Sequence, residues 1–180
     1  MNEKPEGLPG EIDEERFGGG VLRRPGPDGL VRPTMGEIGL NQFAPYLINR
    51  ISARWNANMA EELKAFDMST AKMRALAILS ITTGLTINEL SVFTVTEQST
   101  MSRTLDALEE QGFIRRQQRS EDMRVREVHI TEAGRAAFAA VWPQMYDRFV
   151  RMFDGIDEEE YQAFTQTLHK VLRNIRRHDM

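Results

Sequence analysis

Large apolar residues at Leu40, Phe43, Leu47, Ile51, Trp55, Met59, Leu63 and Phe66 recur every three or four positions, the spacing of one face of a long helix. A second helix is predicted from about Ser69 to Ile81, with Ser69 as N-cap, Met73, Leu76 and Leu79 facing inward, and Gly84 as its break. Ile87, Leu90 and Phe93 give the apolar face of a third, short helix after Thr86, and Thr94-Val95 turns the chain. A fourth helix is expected to open at Thr96, whose hydroxyl would cap the amides near Gln98 and Ser99. It runs through Met101, Leu105 and Leu108 to a stop at Gly112. There the period changes to two, and Phe113 to Gln117 and Val125 to Ile130 read as a hairpin around the polar tip Arg119 to Met123. Helical spacing resumes at Thr131 through Phe138, Val141, Met145, Phe149 and Met152, with Pro143 expected to kink the helix and Gly155 to end it. The last helix, about Asp157 to Arg177, begins with four acids and ends with Arg173, Arg176 and Arg177, which complements the helix dipole.

Two helices joined by so brief a turn suggest a helix-turn-helix, and the hairpin after it supplies a wing. The fold class expected is mainly α: a winged helix-turn-helix, helices plus a β-hairpin wing, with additional N- and C-terminal helices. Before this pattern begins, residues 1–36 hold eight of the thirteen glycines and five of the seven prolines, with too few large apolar residues to offset the entropy of ordering them. That stretch is expected to be a flexible tail without helix or strand, its Arg23, Arg24 and Arg32 solvated.

Composition narrows the class further. Charged residues at 28% and hydrophobic ones at 41% lie in the globular range, and the longest unbroken apolar run, Ala136 to Trp142, is seven residues and too short to cross a bilayer. No apolar stretch of the signal-peptide kind stands near the N-terminus, so a cytoplasmic protein without membrane association is expected. With no cysteine, disulfides, thiolate nucleophiles, thiol redox sensing and Cys-ligated zinc are all excluded. His129 lies on a strand without clustered ligands, and His169 and His178 do not share a helix face, so neither a metal, a cofactor nor catalysis is expected. The chain has no Gly-rich phosphate loop and no nucleophile elbow.

The formal charge of −4 would argue against a nucleic-acid partner, but its distribution reverses that inference. Residues 113–126 carry five arginines (115, 116, 119, 124 and 126) against Glu121 and Asp122, a local +3. In helix-turn-helix proteins the second helix lies in the major groove with its N-terminal residues at the base edges. Here those residues are Gln98, Ser99, Thr100, Ser102 and Arg103. Gln pairs with adenine and Arg with guanine through two hydrogen bonds, while Ser and Thr suit phosphates or bases. A positive hairpin beside this polar helix suits backbone and minor-groove contact.

The stretch Gln98-Ser99-Thr100-Met101-Ser102-Arg103, then Leu105 and Leu108 to Ile114, then Asp122-Met123-Arg124 and Val128 to Gly134, resembles the MarR-type transcriptional regulators. Their wing commonly reads Asp-Arg-Arg followed by the Thr of a Leu-Thr-x-x-Gly turn. Asp122, Arg124, Thr131 and Gly134 hold that register, whereas Met123 replaces the first Arg and Ile130 the Leu. The resemblance covers about residues 40–178. It implies one MarR-type domain over 37–180, with dimerisation helices in 37–68 and 135–180 and the winged helix-turn-helix in 69–134. It further implies a homodimer on a pseudo-palindromic double-stranded DNA operator, acting as a repressor that a small molecule releases. In the wing, by the same likeness, Arg124 enters the minor groove, Asp122 holds its guanidinium, and Arg119 meets DNA. The apolar stripe from Leu40 to Phe66, with Phe164, Leu168, Leu172 and Ile175, independently exceeds what one small winged helix needs to cover, which favours a dimer.

Two readings stay open for Tyr46, Trp55 and Met73: ordinary core packing, or the lining of a cavity for a small aromatic or phenolic ligand of the kind the family binds. Arg50 and Arg54 would then either neutralise an acid on that ligand or pair with acids across the dimer. The alternative to a DNA-binding regulator is a winged helix that serves only as a protein-interaction module. The basic wing and the Gln98 to Arg103 face argue against it.

Overall fold

The computed structural model describes residue 22 and residues 34–119 and 123–177. The chain divides into two compact units between Glu62 and Leu63. In the first, a single helical turn, α1 (Met35–Ile38), precedes the long α2 (Ala44–Leu63). Helix thus appears at Met35 and Gly36, two positions expected to belong to the irregular tail. The turn closes through Ile38 N–H to Thr34 O and Gly39 N–H to Met35 O, and Gly39, at φ 68°, ends it. Apart from Leu22 and Thr34, the rest of the expected tail, with Arg23, Arg24 and Arg32, lies outside the described residues. α2 begins four residues later than the apolar stripe, with Pro45 in its first turn, where a missing N–H leaves no hydrogen bond unmade. Leu40 and Phe43 therefore precede the helix. Along α2 Leu47, Ile48 and Ile51 are exposed.

The second unit opens with a 3-10 turn (Lys64–Phe66) and continues through α3 (Thr70–Ile81), α4 (Ile87–Thr94), α5 (Gln98–Glu110), β1 (Ile114–Gln118), β2 (Arg126–Ile130), α6 (Glu132–Met152) and α7 (Glu158–Arg177). Ser69 caps α3 as expected, accepting from Lys72 N–H at 3.2 Å. α3 is the hub: Ala75, Leu76 and Leu79 have no exposed surface, and the helix packs against α4, α5, α6 and β2. Leu90, Met101, Leu105, Leu108, Ile114, Val128 and Val141 complete this core. Phe93, expected to face inward, is 56% exposed, and Leu90 and Thr94 are the buried residues of α4. In a helix of two turns the apolar positions at 87, 90 and 93 fit the core only in part, and Thr94 turns inward because its hydroxyl is satisfied by Leu90 O at 2.7 Å.

Gly84 is not the break of α3, which already ends at Ile81 with Thr82 as its C-cap. It sits at φ 80°, donates its N–H to Val128 O, and leads into a bridge in which Val128 N–H reaches Leu85 O at 2.8 Å. The hairpin thereby gains a third, minimal strand. β1 and β2 pair antiparallel with Ile114 opposite Ile130 and Gln118 opposite Arg126; β1 lies one residue later than expected, and β2 starts one residue later but ends at Ile130 as expected. Gly112 ends α5 as expected, at φ 74°. Phe113 N–H bonds Leu108 O and Gly112 N–H bonds Glu109 O, the paired bonds of a Schellman motif. Thr131 caps α6 through Gly134 N–H, and Pro143 lies within that helix. α7 is capped reciprocally, Glu160 N–H to Asp157 Oδ1 and Asp157 N–H to Glu160 Oε2. Among the described residues no helix is long and apolar enough to cross a membrane.

Candidate nucleic-acid interface

The helix-turn-helix is set by its caps. At α4, Thr86 and Glu89 form a capping box: Thr86 N–H and hydroxyl both donate to Glu89 Oε2, and Glu89 N–H donates to Thr86 Oγ1. The Thr86 backbone N–H, first, and then its hydroxyl hold the Glu89 carboxyl below the usual carboxylate range. α4 stops at Val95, which takes the left-handed conformation, φ 52° and ψ 51°, unusual for a β-branched residue. Thr96 does not cap α5. Its hydroxyl is drawn back to Thr94 O at 3.2 Å, and the N-cap is Glu97, which makes no side-chain cap. The first-turn amides of α5 therefore receive no side-chain acceptor from the cap, an arrangement suited to an anionic oxygen.

Along α5 the two faces separate cleanly. Met101, Leu105 and Leu108 are fully buried, Gln98, Ser99, Thr100 and Arg103 are exposed, and Ser102 is half-buried. Five of the expected DNA-contacting side chains thus share the outer side of one helix.

The wing also has two faces. On the inner one, Ile114, Val128 and Ile130 are buried, and Arg116 turns back onto α5. Its guanidinium bonds Glu109 Oε2 at 2.9 Å and Asp106 Oδ1 at 2.7 Å, while its backbone N–H donates to Glu109 Oε1. Arg116 is thus committed to the acids of α5, where it fixes the wing against the helix. On the outer face Arg119 donates Nε–H to Glu127 Oε1, Glu127 Oε2 lies 3.4 Å from His129 Nε2, and His129 Nδ1 lies 3.3 Å from Thr83 Oγ1. The hydrogen bond from Arg119 is the main reason the Glu127 carboxyl is held below its ordinary range. The local +3 therefore overstates the wing's available charge, because the acids that engage Arg116 and Arg119 lie outside residues 113–126.

At the tip, Met123 is 70% exposed and Arg124 is exposed beside it. Asp122, the expected partner of Arg124, lies outside the described residues. Glu127 was not singled out from the sequence, in which Asp106 and Glu109 count only, with Glu97 and Glu110, as acids of the recognition helix that outnumber its one base, Arg103. The alternation of β2 places Glu127 and His129 on one face, which is the signal that would have found Glu127.

Of the candidate ligand residues, Tyr46, Arg50 and Trp55 lie on α2, with Tyr46 and Trp55 half-buried and Arg50 5.7 Å above the Tyr46 ring centre. Met73 lies on α3 in the other unit and is 4% exposed. A further aromatic row, Phe138, Trp142, Tyr146 and Phe149, climbs α6 with ring centres 5.8–6.0 Å apart, and meets Phe153 and Tyr161 at the α6–α7 junction. Among the described residues no group of three or more His, Asp or Glu is arranged to hold a metal ion.

Comparison with known proteins agrees with this architecture. The profile of the MarR family matches residues 68–125, the span from the end of the 3-10 turn to the wing tip. The HTH-type transcriptional repressor IacR of Pseudomonas putida is 28% identical over 143 residues, 79% of this chain and 86% of that protein. A solved MarR-family transcriptional regulator from Silicibacter pomeroyi is 50% identical, covers 82% of this chain and all of its own, and superposes with a TM-score of 0.76. The MepR–DNA complex of S. aureus shares the fold at a TM-score of 0.64 and 22% identity, over 73% of this chain and 95% of its own. With half of the aligned residues identical across the whole length of such a regulator, the chain belongs to the MarR family of transcriptional regulators.

Proposed function

We propose that the protein is a homodimeric repressor, a binding protein rather than a catalyst, which acts on DNA in the cytoplasm and is released by a small aromatic or phenolic ligand. The observation that carries the DNA assignment is α5: its polar residues Gln98, Ser99, Thr100 and Arg103 form one exposed surface ahead of an uncapped helix start, backed by a fully buried apolar face. Such a helix presents side chains to base edges and backbone amides to a phosphate. Gln98 and Arg103 are assigned to base readout, and Ser99, Thr100 and Ser102 to phosphates or bases. Arg119 and Arg124 are assigned to the minor groove and its backbone, with Asp122 orienting Arg124. MepR's solved complex with DNA and IacR's designation as a repressor support this reading.

Dimerisation is supported by α7, where Phe164, Val171, Leu172 and Ile175 are all exposed at helical spacing and would be covered by a second copy. On this reading the segments 37–68 and 135–180 form the dimer and 69–134 the DNA-binding part, with 1–36 a tail. The ligand would be gripped through Tyr46, Arg50 and Trp55, which share α2. Arg50, stacked over Tyr46, suits a planar acid. Its binding would favour a spacing of the two α5 helices that no longer fits successive major grooves.

The test is selection of bound duplexes from a random library at two salt concentrations, with sequencing of what is retained. Recovery of a pseudo-palindrome with salt-sensitive affinity is expected. Retention without any enriched sequence would overturn sequence-specific binding.

A further inference from the structure

The outer face of the wing carries a string of polar groups whose combined action the assignment above leaves unused. Arg119, where β1 leaves the ladder, bonds Glu127 Oε1. The carboxylate's other oxygen approaches His129, and His129 in turn reaches Thr83, which precedes the minimal third strand. Glu127 and His129 flank Val128, which is 2% exposed and fixed by reciprocal backbone bonds with Gly84 and Leu85. One carboxylate oxygen is thus bonded to Arg119 and the other faces His129 at 3.4 Å, on a stretch of β2 seated by Val128. Arg119 lies at the hairpin's free end, its own N–H bonded to Val125 O at 2.9 Å.

A long arginine on an exposed hairpin loses many rotamers when it meets a phosphate, which weakens binding unless the protein has already ordered it. We infer that Glu127 is a positioning residue for DNA binding: placed by the seated strand around Val128, its carboxylate holds the Arg119 guanidinium in place before the wing meets the backbone. The role rests on Arg119 contacting DNA, as assigned above. A bare negative charge at position 127 would act oppositely, repelling phosphates, so its removal would tighten binding whatever replaced it.

The experiment measures anisotropy of a fluorescein-labelled mixed-sequence duplex across a salt series, with full-length Glu127→Gln, Glu127→Ala, Arg119→Ala and the Arg119→Ala/Glu127→Ala double variant. Gln keeps an acceptor oxygen for Arg119, so Glu127→Gln is expected to bind at least as tightly as the parent. Glu127→Ala should bind about five- to tenfold more weakly, and should weaken nothing further once Arg119 is gone. If Gln and Ala variants both tighten binding equally, or if Ala weakens it as much without Arg119, the positioning role is overturned. Unchanged affinity and salt slope in Arg119→Ala alone would remove that arginine from the interface and take the role of Glu127 with it. Should Glu127→Ala melt well below the parent, Glu127→Thr, a good strand former too short to reach Arg119, repeats the comparison.

Discussion

Gly134, in the first turn of α6, lies tight against the start of the wing, and replacing it with alanine should destabilise the protein. A Cβ at this position would lie 2.1 Å from Phe113 O and 2.9 Å from Ile130 Cγ1. The first of these is backbone and cannot rotate away, so α6 must move from the start of β1. That segment is tied to the start of α6 by Thr131 N–H to Phe113 O at 3.0 Å and by the Thr131 hydroxyl to Gly112 O at 2.7 Å, and Thr131 Oγ1 in turn accepts the Gly134 N–H at 3.1 Å. Losing two of these three bonds costs about 2 kcal/mol, at about 1 kcal/mol each. Overpacking against Ile130 adds about 1–2 kcal/mol. Alanine's better helix propensity returns about 1 kcal/mol. The net expectation is a loss of about 2–3 kcal/mol, read by urea unfolding followed by circular dichroism. Protein concentration must be matched, since dimerisation would contribute to stability. The sign decides: if Gly134→Ala is as stable as the parent or more so, helix propensity alone governs the site and the close junction does not hold.

Further outcomes follow from the helix-turn-helix and the wing. Val95→Gly should stabilise the protein by about 0.5–1 kcal/mol, because Val95 is 86% exposed and glycine relieves its left-handed backbone without loss of packing; thermal melts check it. Glu89 has a depressed folded-state pKa, so its contribution to stability is present above the ordinary carboxylate value and is lost as pH falls through the folded one. Unfolding between about pH 6 and pH 3 should therefore show a shallower fall for Glu89→Gln than for the parent. Arg124→Ala should lower the slope of log affinity against log salt by about 0.9 for each wing, whatever the duplex sequence. Gln98→Ala should instead relax one or two operator positions by about 1–3 kcal/mol, visible as a change in the selected sequence profile.

What was legible in the sequence was mostly local. The Ser69 cap, the buried 101-105-108 face of α5 and the Gly112 stop each depend on residues within a few positions of one another, and each appears where the pattern put it. Thr96 shows the limit of that logic. A threonine before a helix is a good cap on average, but here the tight turn after Val95 brings Thr94 O within reach of its hydroxyl, so the cap is not made. α1 escaped notice because four residues carry no period, and Phe93 because a two-turn helix lets tertiary packing choose between neighbouring faces.

The exposure of the candidate interface was legible in its parts but its electrostatics were not. Counting charges along residues 113–126 treats every arginine as equivalent, yet Arg116 faces two acids seven and ten residues earlier, and Arg119 faces one eight residues later. Neither pairing follows from spacing on a single element. The first requires knowing that β1 lies along α5, the second that residues 119 and 127 flank the hairpin tip on one face. Once the fold is known, the acids of α5, which in the sequence look like a hindrance to DNA binding, acquire a positive role. Asp106 and Glu109 neutralise Arg116 and fix the angle between helix and wing, and Arg103, on the outer face of α5, stays exposed. An acidic recognition helix and a basic wing are then complementary surfaces of one scaffold, and the −4 of the whole chain says little about the charge that DNA would meet.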